Sequence, residues 1–128
     1  MKSYLSYLNE EKVKEQIQLF AQFAAEHLGL EQVPTIKIKT DSHLPGRIPT
    51  FGQYSPMDKT ITISTKGRHI MDTFRTLAHE MVHFSQDAKN QLHSESGITG
   101  SEHENEANAM AGVICRLFAI QHANQGFF

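Results

Sequence analysis

The sequence predicts an α+β fold in which three helices pack with a small, mostly antiparallel sheet. Two observations predict this class. Three segments repeat their apolar residues with the 3.6-residue period of a helix, and the region between the first two alternates in polarity as strands do. The chain has 128 residues, of which 39% are hydrophobic, which is the size of one globular core. Without repeats or a long linker, we expect a single domain over residues 1–128.

The first predicted helix runs from Asn9 to Leu28 and ends at Gly29. Its apolar residues recur at the spacing that gathers them on one helical face. They are Val13, Ile17, Phe20, Ala21, Ala24 and Leu28. This pattern predicts a helix that buries one side.

The first predicted strand covers residues 33–40, where polar and apolar residues alternate. The alternation places Ile36 and Ile38 on its buried side. Residues 41–49 contain two prolines and a glycine without any period, and they predict a loop.

A hairpin and two further helices complete the predicted order α, β, β, β, α, α. Residues 50–54 and 60–65 read as strands, and the five residues between them are rich in turn formers. Helical periodicity returns over residues 69–89 and again over residues 102–122.

Composition argues against several functional classes. The 12 Lys and Arg residues against 14 Asp and Glu residues give a net charge of -2, so no basic field favours nucleic acid or an anionic membrane. The single cysteine, Cys115, cannot form an intrachain disulfide. No apolar run approaches the roughly 20 residues that span a bilayer, and the polar N-terminus does not resemble a secretory signal. We therefore expect a cytoplasmic protein.

The candidate chemistry begins with histidine. The chain has eight, well above ordinary usage, and two belong to a His-Glu-x-x-His motif formed by His79, Glu80 and His83. Residues four apart stack on one helical face, so both imidazoles could bind one ion. Glu80 is turned ~100° around the helix, beside the ion, where it can take a proton from metal-bound water. Zn²⁺ suits such ligands and activates water, so the motif predicts hydrolysis.

The alternative is that both histidines are ordinary helix residues. Projection onto a helix gathers the apolar residues on one face, namely Phe74, Leu77, Ala78, Met81, Phe84 and Ala88. The histidines fall on the opposite face with Asp72, Arg75, Thr76 and Gln86. The pattern therefore argues against core histidines and leaves either a solvated pair or a pair that faces a cleft.

A third metal ligand is expected from the start of the last helix, which offers Glu104, Glu106 and His103. Projection favours Glu104, because it shares a face with small residues, Ala107 and Ala111, that would let the two helices approach closely. Glu106 points nearly the opposite way, and it and His103 remain alternatives.

A structural role for Glu104 also stays open. Ser101 and Glu104 have the spacing of a capping box, in which the carboxylate only reaches back to a backbone N–H. Asn108, one turn after Glu104, could hydrogen-bond the free ring nitrogen of a ligating histidine, a supporting role that metal sites usually fill.

These motifs resemble those of the small soluble zincin metallopeptidases of the gluzincin kind, the minigluzincins, which include the ImmA/IrrE-type proteins. Thr76–His83 carries the helix motif, and Glu104–Ala111 is similar to the E-x-x-A-N/D helix of the family. Phe51–Tyr54 and Thr60–Ser64 resemble the hairpin that precedes the active-site helix in such proteins. The resemblance covers roughly residues 50–118.

The resemblance implies a zincin-like fold with the metal site between the second and third helices. It also implies His79, His83 and Glu104 as zinc ligands, Glu80 as the general base, and Asn108 as the support of a ligand. Similar compact zincins occur in bacteria and their phages.

The expected function is that of a zinc-dependent endopeptidase acting on an intracellular protein or peptide. We expect the substrate to lie along an exposed edge formed by Thr60–Ser64, with Ile61 and Ile63 facing the core. The alternative is a non-catalytic regulatory or binding module with structural zinc, whose fourth ligand would come from His103 or Glu106.

Other side chains receive weaker predictions. No residue is identified that would stabilise the oxyanion of a tetrahedral intermediate, and Tyr54, Arg116 and His122 are only candidates. Cys115 lies among apolar residues of the last helix, which predicts a small core residue rather than a nucleophile.

Overall fold

The computed structural model describes residues 4–40, residue 44, residues 51–89 and residues 102–123. The six elements follow the predicted order and confirm the α+β class. They are α1 (Tyr4–His27), β1 (Thr35–Lys39), β2 (Gly52–Ser55), β3 (Thr60–Ser64), α2 (Ile70–Ala88) and α3 (Glu102–Gln121). The predicted loop at residues 41–49, apart from Leu44, lies outside the described residues.

Helix α1 is longer than predicted, because it begins at Tyr4 rather than Asn9. No glycine or proline precedes Asn9, so nothing in the sequence stops the helix from extending. Its end agrees with the sequence. Gly29 has a φ of 69°, the left-handed conformation that glycine adopts most readily, and the Leu30 N–H donates to the Ala25 carbonyl at 2.9 Å.

The sheet is mixed, so the prediction of a mostly antiparallel sheet is wrong. The strand order is β1-β3-β2, with β1 parallel to β3 and β2 antiparallel to it. Strands β1 and β2 therefore flank β3 on its two sides. The hairpin then returns β3 to the centre, where it runs in the same direction as β1.

The prediction that Thr60–Ser64 forms an exposed edge is also wrong. This strand is β3, which hydrogen-bonds to β1 on one side and to β2 on the other. An added peptide strand therefore cannot pair with it. Ile61 and Ile63 are fully buried, as predicted, and β2 has a neighbouring strand on only one side within the described sheet.

The core is an aromatic cluster shared by all three helices. Phe20 of α1 stacks on Phe74 of α2 at 4.5 Å between ring centroids. Phe118 of α3 meets both rings edge-on, at 5.1 and 5.2 Å. All three side chains are fully buried. Cys115 is half-buried against this core, and that burial raises the pKa of its thiol to about 11.

Helix α2 carries the motif and presents two different faces. It begins after His69, whose Nδ1 accepts a hydrogen bond from the Met71 backbone N–H at 3.1 Å. Its apolar face packs into the core, as predicted, through Phe74, Leu77, Ala78 and Met81. None of the described helices combines the length and the apolar character needed to cross a bilayer.

Candidate metal centre

Helices α2 and α3 bring His79, His83 and Glu104 together. The Nε2 atom of His79 lies 2.8 Å from Glu104 Oε1, and that of His83 lies 3.1 Å from Glu104 Oε2. The helix spacing of four residues places the two rings 4.8 Å apart between centroids. Ala107 and Ala111 are buried between the helices and permit this close approach.

The three side chains match the ligand set of a zinc site. One ligand atom from each lies within 4.8 Å of the others. In a tetrahedral zinc site with bonds of about 2.0–2.2 Å, neighbouring ligand atoms are roughly 3.3–3.6 Å apart, so small side-chain rotations would accommodate an ion. Two imidazoles and a carboxylate are also the donors of catalytic sites that keep a fourth position open.

The alternative third ligands have other partners. Glu106 Oε1 accepts a hydrogen bond from Gln86 Nε2 at 2.9 Å, and the His103 carbonyl accepts from the same nitrogen at 3.0 Å. Among the described residues, the ligand atoms that cluster are those of His79, His83 and Glu104, and neither Glu106 nor the His103 imidazole belongs to this group. The proposed capping partner, Ser101, lies outside the described residues.

Gln86 is the site residue that the sequence did not reveal. It is only 1% exposed, and its Oε1 lies 2.8 Å from His83 Nδ1. Because its Nε2 already donates to two oxygens of α3, the amide oxygen must face the imidazole. His83 Nδ1 therefore donates, and the ring is held with Nε2 toward Glu104. The sequence does place Gln86 three residues after His83 on the same helical face, and this spacing could have indicated that the two side chains meet.

The Asn108 side chain hydrogen-bonds His79, the kind of contact that the sequence suggested for a residue that supports a ligand. Burial lowers the pKa of His79, and the nearby Glu104 carboxylate opposes that shift. The neutral imidazole is thereby favoured, which is the form that can bind a metal.

Glu80 lies beside His79, His83 and Glu104 and is not a member of their cluster. Burial raises the pKa of its carboxyl to about 7. The positive field of His83 and a hydrogen bond from the Tyr54 backbone N–H oppose this rise, whereas the Glu104 carboxylate adds to it. A carboxyl with such a pKa can both accept and return a proton near neutral pH.

The contact between Glu80 and Tyr54 places the candidate base at the outer edge of β2. The Ser64 N–H donates to the Phe51 carbonyl at 2.8 Å, so residue 51 is a hydrogen-bonded position of the antiparallel pair. Bonding positions alternate along such a strand, which directs the backbone groups of Gly52 and Tyr54 away from β3.

Gly52 allows β2 to lie directly against α2. A Cβ atom at this position would overlap the methyl group of Thr76 and would lie 3.4 Å from Glu80 Cγ. Between the strand and the helices is a cleft of about 290 Å³ whose lining includes Gly52, His79, Glu80 and Asn108. The candidate base and one imidazole therefore share an open cleft.

The three oxyanion candidates lie elsewhere. The Tyr54 hydroxyl donates to Asp87 at 2.5 Å, and Arg116 is exposed on α3. His122 is buried and stacks on Phe118 at 4.3 Å between ring centroids. None of the three is among the residues that line the cleft.

No family model, curated protein or solved structure is significantly similar to this chain. Function is therefore inferred from the site residues and their surroundings.

Proposed function

We propose that the protein is a cytoplasmic, zinc-dependent endopeptidase that hydrolyses peptide bonds of a protein or peptide. The observation that carries the proposal is the convergence of His79, His83 and Glu104 beside a second, separate carboxylate, Glu80. In this proposal the arrangement is zincin-like, with the metal between α2 and α3. Zn²⁺ bound there would act as a Lewis acid and lower the pKa of water to about 7.

The two carboxylates would have different roles. Glu104 contacts both imidazoles and would hold the ion with them. Glu80 makes no such contact in the described site, and its pKa of about 7 suits a group that takes a proton from water and gives it to the leaving amine. A purely structural metal site has no need for such a carboxylate, which favours an enzyme over a regulatory module.

The outer edge of β2 would hold the substrate. An extended peptide can add to a sheet edge through backbone hydrogen bonds. The outward backbone groups of Gly52 and the outward Tyr54 carbonyl lie next to Glu80 and the cleft, so a peptide paired there would pass Glu80 and His79. This edge replaces the one expected at β3.

The metal and its third ligand are tested together. Elemental analysis of protein purified without a histidine tag should find one zinc ion per chain, and His83→Ala should remove it.

Glu104→Ala should weaken zinc affinity far more than Glu106→Ala, because loss of a ligand exceeds the roughly 10–100-fold effect of losing a supporting contact. Unchanged zinc content in His83→Ala would refute the site, and the reverse order of the two glutamate variants would refute Glu104 as ligand.

Catalysis is tested with Glu80→Gln, which keeps the shape of the side chain and removes the base. We expect zinc content and fold to remain and peptide hydrolysis to fall at least ~100-fold. Glu15→Gln, at an exposed position of α1, is the matched control. If the wild type binds zinc and cleaves nothing in a peptide library, the alternative of a regulatory module with structural zinc is supported instead.

A further inference from the structure

Two arginines line the cleft on the side toward the start of α2. Arg75 lies four residues before His79 on the same helix, and Arg68 lies two residues before α2 begins. The sequence placed Arg75 on the motif face but gave it no role. Neither arginine is used by the proposed chemistry at the metal.

Arg68 is held in place by two contacts. Its guanidinium carbon lies 4.2 Å from the centroid of the Phe51 ring, and its Nη1 donates to Thr76 Oγ1 at 2.6 Å. Burial lowers the pKa of Arg68, and Asp72 partly offsets that effect. Thr76 takes only one of the five N–H groups of the guanidinium. A guanidinium fixed in this way is well prepared to bind a planar anion.

The residues that line the cleft carry two guanidinium groups, Arg68 and Arg75, and two carboxylates, Asp72 and Glu80. In the parts of the chain that the structure describes, neither arginine forms an ion pair within 4 Å of a carboxylate. Both guanidinium groups therefore keep N–H donors for an anion that enters the cleft.

We propose that Arg68 and Arg75 bind a carboxylate of the substrate, so that the enzyme acts on peptides with an acidic group close to the cleaved bond. The inference rests on the proposed peptidase function. Arg75 and His79 are four residues apart on α2, a rise of about 6 Å, which corresponds to about two residues of an extended peptide. The carboxylate thus lies within about two residues of the cleaved bond and belongs either to Asp or Glu or to a free C-terminus.

The test measures how tightly peptides bind to the zinc-loaded Glu80→Gln variant. This measurement does not depend on cleavage. The probes are three pools of octapeptides of random neutral residues, each labelled at the N-terminus with an uncharged BODIPY dye. One pool has an amidated C-terminus, one has a free C-terminus, and one is amidated and carries a central Glu. Fluorescence polarisation at low ionic strength should show about tenfold tighter binding of at least one acidic pool. The pool that binds best identifies the source of the carboxylate.

Variants in the same background assign the preference to the arginines. Arg75→Gln and Arg68→Gln should each remove most of the preference for acidic peptides. Lys12→Gln, which removes one positive charge at an exposed position of α1, should leave that preference unchanged. Arg75 is exposed, so its variant should fold even if Arg68→Gln loosens the contact with Thr76. Equal or undetectable binding of all three pools, or a preference that survives both arginine variants, would overturn the inference.

Failure of this inference differs from failure of the proposed function. A wild type that cleaves peptides without any carboxylate preference is a peptidase whose arginines do not select the substrate. A wild type that cleaves nothing, while Glu80→Gln binds acidic peptides through Arg75, has an acidic-peptide site without peptidase activity.

Discussion

Glu80 and Glu104 lie near the same two histidines, but their surroundings give them different properties. Glu104 directs one carboxylate oxygen to each imidazole. Glu80 has its carboxyl at the edge of β2, where burial raises its pKa to about 7. Loss of water around a charged carboxylate destabilises the folded state, so a base prepared in this way reduces stability.

This cost predicts a pH-dependent stability difference in metal-free protein. The folded pKa of Glu80, about 7, exceeds its ordinary value of 4.5, so the folded state binds more protons between these two pH values. Wild-type stability should therefore fall, relative to Glu80→Gln, as pH rises from 4.5 to 7, by an amount of order 2–3 kcal/mol.

Wild type and Glu80→Gln are first freed of metal with a chelator. Urea unfolding of the two proteins at pH 5 and at pH 8 then checks this expectation. Glu15→Gln should show no such pH dependence relative to wild type. A constant difference between wild type and Glu80→Gln across this range would show that the carboxyl is not shifted.

Gln86 orients His83, and substitution of Gln86 should therefore weaken zinc binding. Gln86→Leu removes the acceptor at His83 Nδ1 and should lower zinc affinity roughly 10–100-fold, the range typical of supporting contacts. The same substitution at exposed Gln22 of α1 should leave affinity unchanged. Competition with a zinc-binding dye measures both, and equal affinities in the two variants would contradict the orienting role.

The sequence was sufficient for candidate site residues whose relative positions follow from the geometry of a single helix. The spacing of His79, Glu80 and His83 fixes their relative directions in any helix, and small residues identified the face of Glu104. Gln86 and Arg68 could not receive roles in this way. Gln86 bonds atoms 17 and 20 residues away. Arg68 packs on Phe51, from which the β2–β3 hairpin separates it along the chain.

At the scale of elements, the cleft depends on how closely β2 lies against α2. The absence of a side chain at Gly52 permits this distance. Gly52→Ala should force the strand from the helix and destabilise the protein by about 1–3 kcal/mol.

Gly112→Ala provides the matched substitution. Gly112 lies within α3, and a Cβ there would meet only Arg75 Nη2, at 3.8 Å. Because glycine weakens a helix interior, this variant should stabilise the protein by up to about 0.5–1 kcal/mol. Thermal unfolding of both variants tests the contrast, and a Gly52→Ala protein as stable as wild type would show that β2 can move freely.

The helices were more predictable than the sheet. Periodicity located all three helices to within a few residues, apart from the start of α1, because each buries one face along its whole length. The strand order of the sheet depends on which strands pair, and the polarity pattern of a single strand does not contain that information. Alternation identified three strands, but it says nothing about their order, so it could not show that β3 is the central strand.

At the scale of the whole molecule, the aromatic cluster joins the three helices and implies one cooperative unit. Phe20→Ala should destabilise the protein by about 3–5 kcal/mol, whereas Leu19→Ala, at a position that is 38% exposed, should have a much smaller effect. Circular dichroism and tyrosine fluorescence should report a single transition in urea for each protein. Separate melting of α1 would contradict the single domain expected for residues 1–128.

The shielding of Cys115 makes the chain convenient for site-specific labelling. This is the only cysteine, and its raised pKa of about 11 leaves about one thiol in 10⁴ as reactive thiolate at pH 7. Met57, in the turn between β2 and β3, is 95% exposed. Met57→Cys would supply a few hundred times more thiolate at an ordinary thiol pKa of about 8.5. A maleimide dye should therefore attach at the hairpin turn, where its emission could follow the arrival of a peptide at the neighbouring edge of β2 while Cys115 is left unchanged.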